Sequence, residues 1–482
     1  MACTGPRAFC GAVSNTLCER ESIMRYFASS ALLPDGWAAN VVFSVDDSGR
    51  ITDVQREQAR PPDAEVLSGP VVPGMPNAHS HAFQRAMAGL TEFRGHPEDS
   101  FWTWRELMYR HAGRITPDRM QAIARWLYIE MLKAGYTGVA EFHYLHHDVD
   151  GLPYARPAEM SHRLAEAAGD SGISLTLLPV LYRYSGFGGR PATDGQRRFL
   201  HALDGYVALV RDLHAAYAHT PDVRVGMAFH SLRAVQEPDI LEGVQALDAM
   251  DPGAPVHIHI AEQQAEVRDC LQWSGQRPVQ WLYEHAPVDS RWCLVHATHV
   301  DEGEMARIAA SGATVVLCPT TEANLGDGIF PARAYMDAPG PSRWAIGSDS
   351  HITVDAADEL RMLEYSQRLL HQRRAVLSTP AQASAGRAML EAALEGGRRA
   401  LGLVGPGLAV AGRADWLVLD AAHPALLGRE KDEALDSWIF SGGRACVRDV
   451  MTAGRWRVRD GRHVAEQEAY AAFRDAVAAL GR

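Results

Sequence analysis

At 482 residues, 47% of them apolar, the chain is long enough to bury the core of a large barrel with a small accessory domain beside it. A formal net charge of −12 excludes a nucleic-acid partner, because phosphate binding needs a basic excess. No apolar run is long enough to span a bilayer, so no membrane partner is expected.

Residues 1–23 lack apolar periodicity and precede Met24, which predicts a disordered extension or residues upstream of the true start. Cys3, Cys10 and Cys18 lie there; Cys270, Cys293, Cys318 and Cys446 are scattered through the body. No Cys-x-x-Cys pair occurs and no secretory signal is evident, so reduced, cytoplasmic thiols are expected. Residues 24–72 read as the N-terminal part of a small β domain. Within them, residues 39–45 and 50–54 flank an Asp-Asp-Ser-Gly turn, a hairpin signature. Val71 and Val72, with the Pro73-Gly74 step, are read as opening the first buried strand, which delivers His79 and His81.

Over residues 73–400 helices and strands alternate. A helix over 117–134, capped by Thr116 and ended by Gly135, leads to a strand over 137–142. A helix over 157–168, a strand over 173–181 and a helix over 196–217 follow. A strand over 223–229, a helix over 238–250 and a strand over 255–260 come next, and further strands occupy 292–296, 313–317 and 343–346. Eight strand–helix units predict a TIM-like (β/α)8 barrel, whose site lies at the C-terminal strand ends. A doubly wound open sheet lacks support, since no Gly-x-Gly-x-x-Gly follows a strand. Residues 401–482 return to β, with a strand over 414–420 and two strands within 446–462 around a Gly-Arg turn. An amphipathic helix from Glu466 closes the chain. The simplest topology joins this part to residues 24–72 as one small β domain.

The polar residues at the strand ends carry the chemistry. His79 and His81 share one face of an extended chain, although a lone His-x-His is a weak signal. The fifth strand ends His257-Ile258-His259-Ile260-Ala261-Glu262; His257 and His259 share a face, and His259, nearer the mouth, is the preferred ligand. The sixth strand ends at His296 and the eighth at Asp349. Three imidazoles and a carboxylate suit one divalent ion, zinc or ferrous iron. Such an ion lowers the pKa of a bound water and so supplies a hydroxide nucleophile. Asp349 is placed to take the water's proton, Glu262 to protonate a leaving nitrogen, and His296 to hold the nucleophile or polarise the substrate. Taken singly, each residue is more often structural: Asp349 alone fits a helix cap, and His143, His146 and His147 form a loop cluster with no expected ligand role. Their coincidence at four strand ends of one barrel argues for a metal centre.

The order His79-x-His81, His259, His296 and Asp349 resembles the mononuclear-zinc deaminase branch of the amidohydrolase superfamily. Binuclear members carry a bridging carbamylated lysine at the end of the fourth strand, where this chain has His230. The stretches His79-Ser80-His81-Ala82-Phe83-Gln84-Arg85, His257 to Gln263 and Cys318-Pro319-Thr320-Thr321-Glu322-Ala323-Asn324-Leu325-Gly326 are similar to the formimidoylglutamate deiminase family, as is Phe101-Trp102-Thr103-Trp104-Arg105. The resemblance runs from about Met24 to the C-terminal helix. It implies an amidohydrolase-type barrel with one Zn2+ on His79, His81, His259 and Asp349, and catalysis by Glu262, His296 and Asp349. The implied reaction is hydrolysis of N-formimidoyl-L-glutamate to N-formyl-L-glutamate and ammonia in histidine degradation, by a homodimer.

By the same resemblance Gln84, Arg105, Tyr144, His230 and Arg233 contact this small acidic formamidine. The residues agree: two substrate carboxylates call for arginines, and Arg233 follows the fourth strand. Arg105 falls in the long aromatic loop after the first strand, serving its own barrel or a neighbour's. A guanine or adenosine-type deaminase would favour stacking aromatics and amide donors over paired arginines. A non-catalytic barrel would have lost part of the His, Glu and Asp set, and none is missing.

Overall fold

The computed structural model describes residue 1 and residues 23–92, 101–403 and 405–481. Most of the expected N-terminal extension, with Cys3, Cys10 and Cys18, lies outside the described residues, as do the side chains of Phe101, Trp102 and Thr103. Eight parallel strands form the barrel: β1 (Met75–Ser80), β2 (Tyr136–His143), β3 (Ser174–Leu181), β4 (Met227–Ser231), β5 (Val256–Ile260), β6 (Trp292–His296), β7 (Thr314–Leu317) and β8 (Arg343–Ile346). Strands β2, β3, β5, β6 and β7 are buried along their whole length. Continuous apolar runs such as Leu177–Leu181 suit strands covered on both faces by a barrel interior and its helices.

Closure between β8 and β1 rests on a bridge just past β8, where Ser80 pairs with Asp349. The Asp349 amide donates to the His79 carbonyl at 3.0 Å, and the His81 amide donates to the Asp349 carbonyl at 3.2 Å. Gly347 permits this approach: a Cβ there would lie 2.7 Å from His79 Cβ and 2.8 Å from its backbone nitrogen.

A second sheet joins the two ends of the chain. Met24–Leu33 pairs with Gly36–Val45, which pairs in turn with Ile51–Gln55. On the other side Val71–Pro73 runs parallel to Met24–Leu33 and antiparallel to Trp416–Leu419, followed by Val447–Thr452 and Arg455–Arg459. Trp416 seals this sheet's core, its ring centroid 5.3 Å from both Tyr26 and Phe43. The helix Glu466–Leu480 then packs on the helix Pro117–Lys133, with Trp126 stacked on Phe473. Among the described residues no helix is long and apolar enough to cross a membrane.

Four expectations are corrected. Val71 and Val72 belong to the small sheet and not to the first barrel strand; the chain passes between sheets at Gly74, where a Cβ would meet Thr137 at 2.3 Å. The strand expected over 223–229 is two pieces, Val223–Val225 on β3 and then β4. The helix expected over 196–217 is a 3-10 turn, Asp194–Phe199, and a helix, Leu203–Tyr217. Between them the His201 amide donates to the Tyr182 carbonyl at 3.1 Å, outside any helical pattern. The aromatic stretch expected as loop is a helix, Phe101–Ala112, and carries Arg105.

Crowding at the closure gives a direct prediction. Gly347→Ala should cost about 1–3 kcal/mol, the usual penalty of overpacking, and lower the thermal midpoint. Gly169→Ala, in the open interior of the helix Glu159–Ser171, should leave the midpoint unchanged or raise it slightly. Equal midpoints for Gly347→Ala and the wild type would show that the seam is loose.

Candidate active site

His79 lies near the end of β1 and His81 just past it, so the two-residue period sends both rings to the barrel mouth. Their Nε2 atoms stand 3.1 Å apart, and His79 Nε2 is 3.0 Å from Nε2 of His259 on β5. Asp349 Oδ1 lies 3.4 Å from His79 Nε2 and 3.2 Å from His81 Nε2. All four residues are buried, with donor atoms within 4.8 Å of one another. His257 turns away and donates from Nε2 to the Ala400 carbonyl at 2.8 Å. His146 and His147 are likewise bonded elsewhere, to the carbonyls of Val180 and Leu200.

The donor chemistry fits a divalent ion. His81 Nδ1 donates to the Phe142 carbonyl at 2.8 Å and His259 Nδ1 to the His230 carbonyl at 2.9 Å. A carbonyl only accepts, so both rings carry their proton on Nδ1 and turn an Nε2 lone pair to the centre. Burial pushes the pKa of His79 down to about 3 and that of His259 well below the ordinary histidine value, which keeps both rings neutral. Lone pairs converging in a buried pocket repel one another unless a cation sits among them, and neutral imidazole is the ligand form.

Beside this cluster stands a proton-handling group. His296, the last residue of β6, has Nδ1 3.2 Å from Glu322 Oε1. Its Nε2 lies 3.8 Å from Glu262 Oε1 and 3.9 Å from Asp349 Oδ2. Burial opposes a charge on His296, yet Glu262, Glu322 and Asp349 outweigh it and lift its pKa to about 10. Burial also raises the pKa of Glu262.

The backbone is bent hard to place these groups. Ala261, His296, Ala297, Asp349 and His351 all adopt left-handed φ, between 45° and 69°. Each such residue costs on the order of 1–3 kcal/mol. Their concentration at strand ends around one cluster marks a functional site.

A cavity opens above the cluster. His81, His259, Glu262, His296 and Asp349 line its floor, and Gln84, Arg105, Tyr144, His230 and Arg233 line its walls. Gln84 Nε2 donates to the Tyr144 hydroxyl at 3.0 Å, Arg233 Nε donates to Ser231 Oγ at 3.3 Å, and Arg105 lies over the Tyr109 ring. The His230 ring packs on Tyr182, while its carbonyl orients His259. Every site residue expected from sequence is thus at one cavity or directly beneath it, and Arg105 lines the cavity of its own chain.

Comparison with known proteins agrees with this architecture. The pattern described as the amidohydrolase family matches residues 71–457. The chain belongs to the amidohydrolase family. A curated relative from Pseudomonas aeruginosa, formimidoylglutamate deiminase, is 55% identical over 450 residues, covering 93% of this chain and 97% of the relative. A 5-methylthioadenosine/S-adenosylhomocysteine deaminase from Halobacterium salinarum is 28% identical over 412 residues, covering 84% and 85%. Among solved structures, an amidohydrolase from Brucella melitensis superposes with a TM-score of 0.89 at 46% identity, covering 95% of this chain and all of that one. A zinc-bound adenosine deaminase from Xanthomonas campestris shares the fold, with a TM-score of 0.78 at 22% identity over 95% and 98% of the two chains. Family membership makes this chain an enzyme, a hydrolase acting on carbon–nitrogen bonds.

Two residues of this amidohydrolase site carried no role in the sequence. Glu322 anchors His296 and accepts the Cys318 amide at 2.9 Å; its motif was visible but its function was not. Glu141, at the end of β2, accepts from Ser80 Oγ and the Ala82 amide, both at 2.6 Å, and so clamps the turn that carries His81. A lone glutamate in an apolar strand gives no hint of such a partner.

The purified amidohydrolase is expected to hold about one divalent ion per chain, as a mononuclear centre requires. Elemental analysis of His79→Ala/His81→Ala should find most of it gone, and chelation should lower the wild-type thermal midpoint by mass action. Full occupancy in the double variant would remove these residues as ligands.

Proposed function

We propose that this enzyme hydrolyses N-formimidoyl-L-glutamate to N-formyl-L-glutamate and ammonia, as a zinc-dependent step of histidine degradation. The observation that carries the reading is one cavity with proton-transfer groups at its floor and two arginines, Arg105 and Arg233, in its walls. A substrate with two carboxylates and one amidine matches that division, and the 55% identical relative bears the corresponding name. A homodimer, carried over from the family resemblance, and a cytoplasmic location, which the scattered cysteines without a Cys-x-x-Cys pair support, complete the reading.

His79, His81, His259 and Asp349 would hold the zinc, which supplies the Lewis acidity that makes water nucleophilic near neutral pH. The protein's own groups do the rest. Arg105 and Arg233 pair with the carboxylates, and Gln84, Tyr144 and His230 flank the chain between them, which sets the formimidoyl carbon over the floor. Asp349 Oδ2, facing His296, accepts a proton from the attacking water, and positively charged His296 stabilises the oxygen as it adds to carbon. Glu262 delivers a proton to the terminal nitrogen. Both protons of the water reach that nitrogen, the carbon–nitrogen bond breaks with its electron pair leaving on ammonia, and the water oxygen becomes the formyl oxygen.

Incubation with formimidoylglutamate should release ammonia and formylglutamate in equal amounts. Turnover of guanine or adenosine derivatives in its place would establish a nucleobase deaminase. Glu262→Gln should keep the metal and fold while kcat falls, because the amide cannot relay a proton; near-normal turnover would remove Glu262 from that role. Arg233→Met should lower kcat/KM by roughly ten- to more than a hundredfold, the range for a hydrogen bond to a charged group. A decarboxylated analogue should lose far less, and an equal loss with both substrates would make Arg233 structural.

A further inference from the structure

The cavity that Arg105 and Arg233 line is also lined by Tyr109 and Tyr182. Tyr109 comes from the helix Phe101–Ala112 and Tyr182 from just past β3. Both face a glutamine that lies outside the cavity. Gln196, 1% exposed, sits in the 3-10 turn Asp194–Phe199, and its Nε2 donates to the Tyr182 hydroxyl at 2.6 Å and reaches the Tyr109 hydroxyl at 3.4 Å.

The orientation of that amide is fixed from behind. Gln196 Oε1 accepts from the Thr193 amide at 2.8 Å and from Thr193 Oγ1 at 3.1 Å. The amide nitrogen therefore faces the two tyrosines and both its protons point at their oxygens. A tyrosine oxygen that accepts from Gln196 must send its own proton elsewhere. Both tyrosines line the cavity together with Arg105 and Arg233, so the proton directed away from Gln196 is a donor on the cavity side.

We infer that Tyr109 and Tyr182, polarised by Gln196, form with Arg105 and Arg233 a socket that discriminates a carboxylate from a neutral amide. The inference rests on the proposed dicarboxylate substrate and deepens it. The two arginines supply charge, which attracts any anion; the directed hydroxyl supplies a further donor at a fixed angle. A carboxylate accepts from all of them. A primary amide in its place turns an NH2 toward at least one donor, and that clash is a source of specificity no pair of point charges provides. Gln196 touches no substrate, so it is a positioning residue.

The test compares formimidoylglutamate with two analogues, each carrying a primary amide in place of one carboxylate, on the wild type, Tyr182→Phe, Tyr109→Phe and Gln196→Glu. Gln196→Glu keeps the shape but converts the donor into an acceptor, which draws the hydroxyl protons away from the cavity. Expected for each variant is a rise of about ten- to a hundredfold in KM for formimidoylglutamate, with kcat much less affected. One of the two amide analogues should lose much less, because its NH2 has no use for the missing donor. Combining Gln196→Glu with Tyr182→Phe and Tyr109→Phe should add little to the tyrosine double variant, since the glutamine acts through the hydroxyls.

Unchanged KM in both Tyr→Phe variants overturns the inference while the wild-type reaction stands. Equal losses on all three substrates, or a fall in kcat and thermal midpoint without a KM effect, also overturn it by making the cluster structural. A wild type inert toward formimidoylglutamate sinks the functional reading itself, a separate outcome visible before any variant is made.

Discussion

The structure depends on the seam between β8 and β1, where a single residue has two duties. Asp349 exchanges backbone hydrogen bonds with His79 and His81 and so completes the ring of strands. Its side chain meanwhile supplies the carboxylate of the cluster, with Oδ1 toward His79 and His81 and Oδ2 toward His296. Because one left-handed residue does both, the ligand geometry and the closed barrel cannot be varied independently. The order of the site is the order of the seam.

A buried polar network stiffens that seam from behind. Asn77 accepts the Ser348 amide at 3.1 Å and donates to Ser348 Oγ at 2.6 Å. His351 bridges Ser348 and Ser80, and Ser80 continues to Glu141, which Tyr128 also meets at 3.2 Å. Burial lifts the pKa of Glu141 to about 7 against the pull of these donors. Buried polar groups are tolerated where each finds a partner, and satisfied networks specify one arrangement. Here the arrangement specified is the angle at which two histidines enter a barrel.

Much of this was legible in the sequence because barrels write their site in a regular grammar. Strands β5, β6 and β8 end where their apolar runs end, and His259, His296 and Asp349 stand at those ends or just past them. The choice between His257 and His259 followed from depth along the strand. Side-chain periodicity failed where backbone hydrogen bonds decide. Val71 and Val72 look like a barrel strand, and only their pairing with Trp416–Leu419 assigns them to the other sheet. The aromatics around Arg105 read as readily as loop as they do as helix. Glu322 and Glu141 were opaque for a simpler reason: their partners lie on other strands, and no spacing along the chain announces them.

The shared small sheet has a consequence for how this molecule comes into being. Val71–Pro73 is made early, yet its antiparallel partner Trp416–Leu419 lies a whole barrel downstream. A chain leaving the ribosome therefore carries the strands around Tyr26 and Phe43 with an open edge, and with no Trp416 to cover their apolar faces, until nearly all of it has been synthesised. Long-range pairings of this kind slow folding and leave sheet edges open to wrong partners. Strands made early are among the last to be completed.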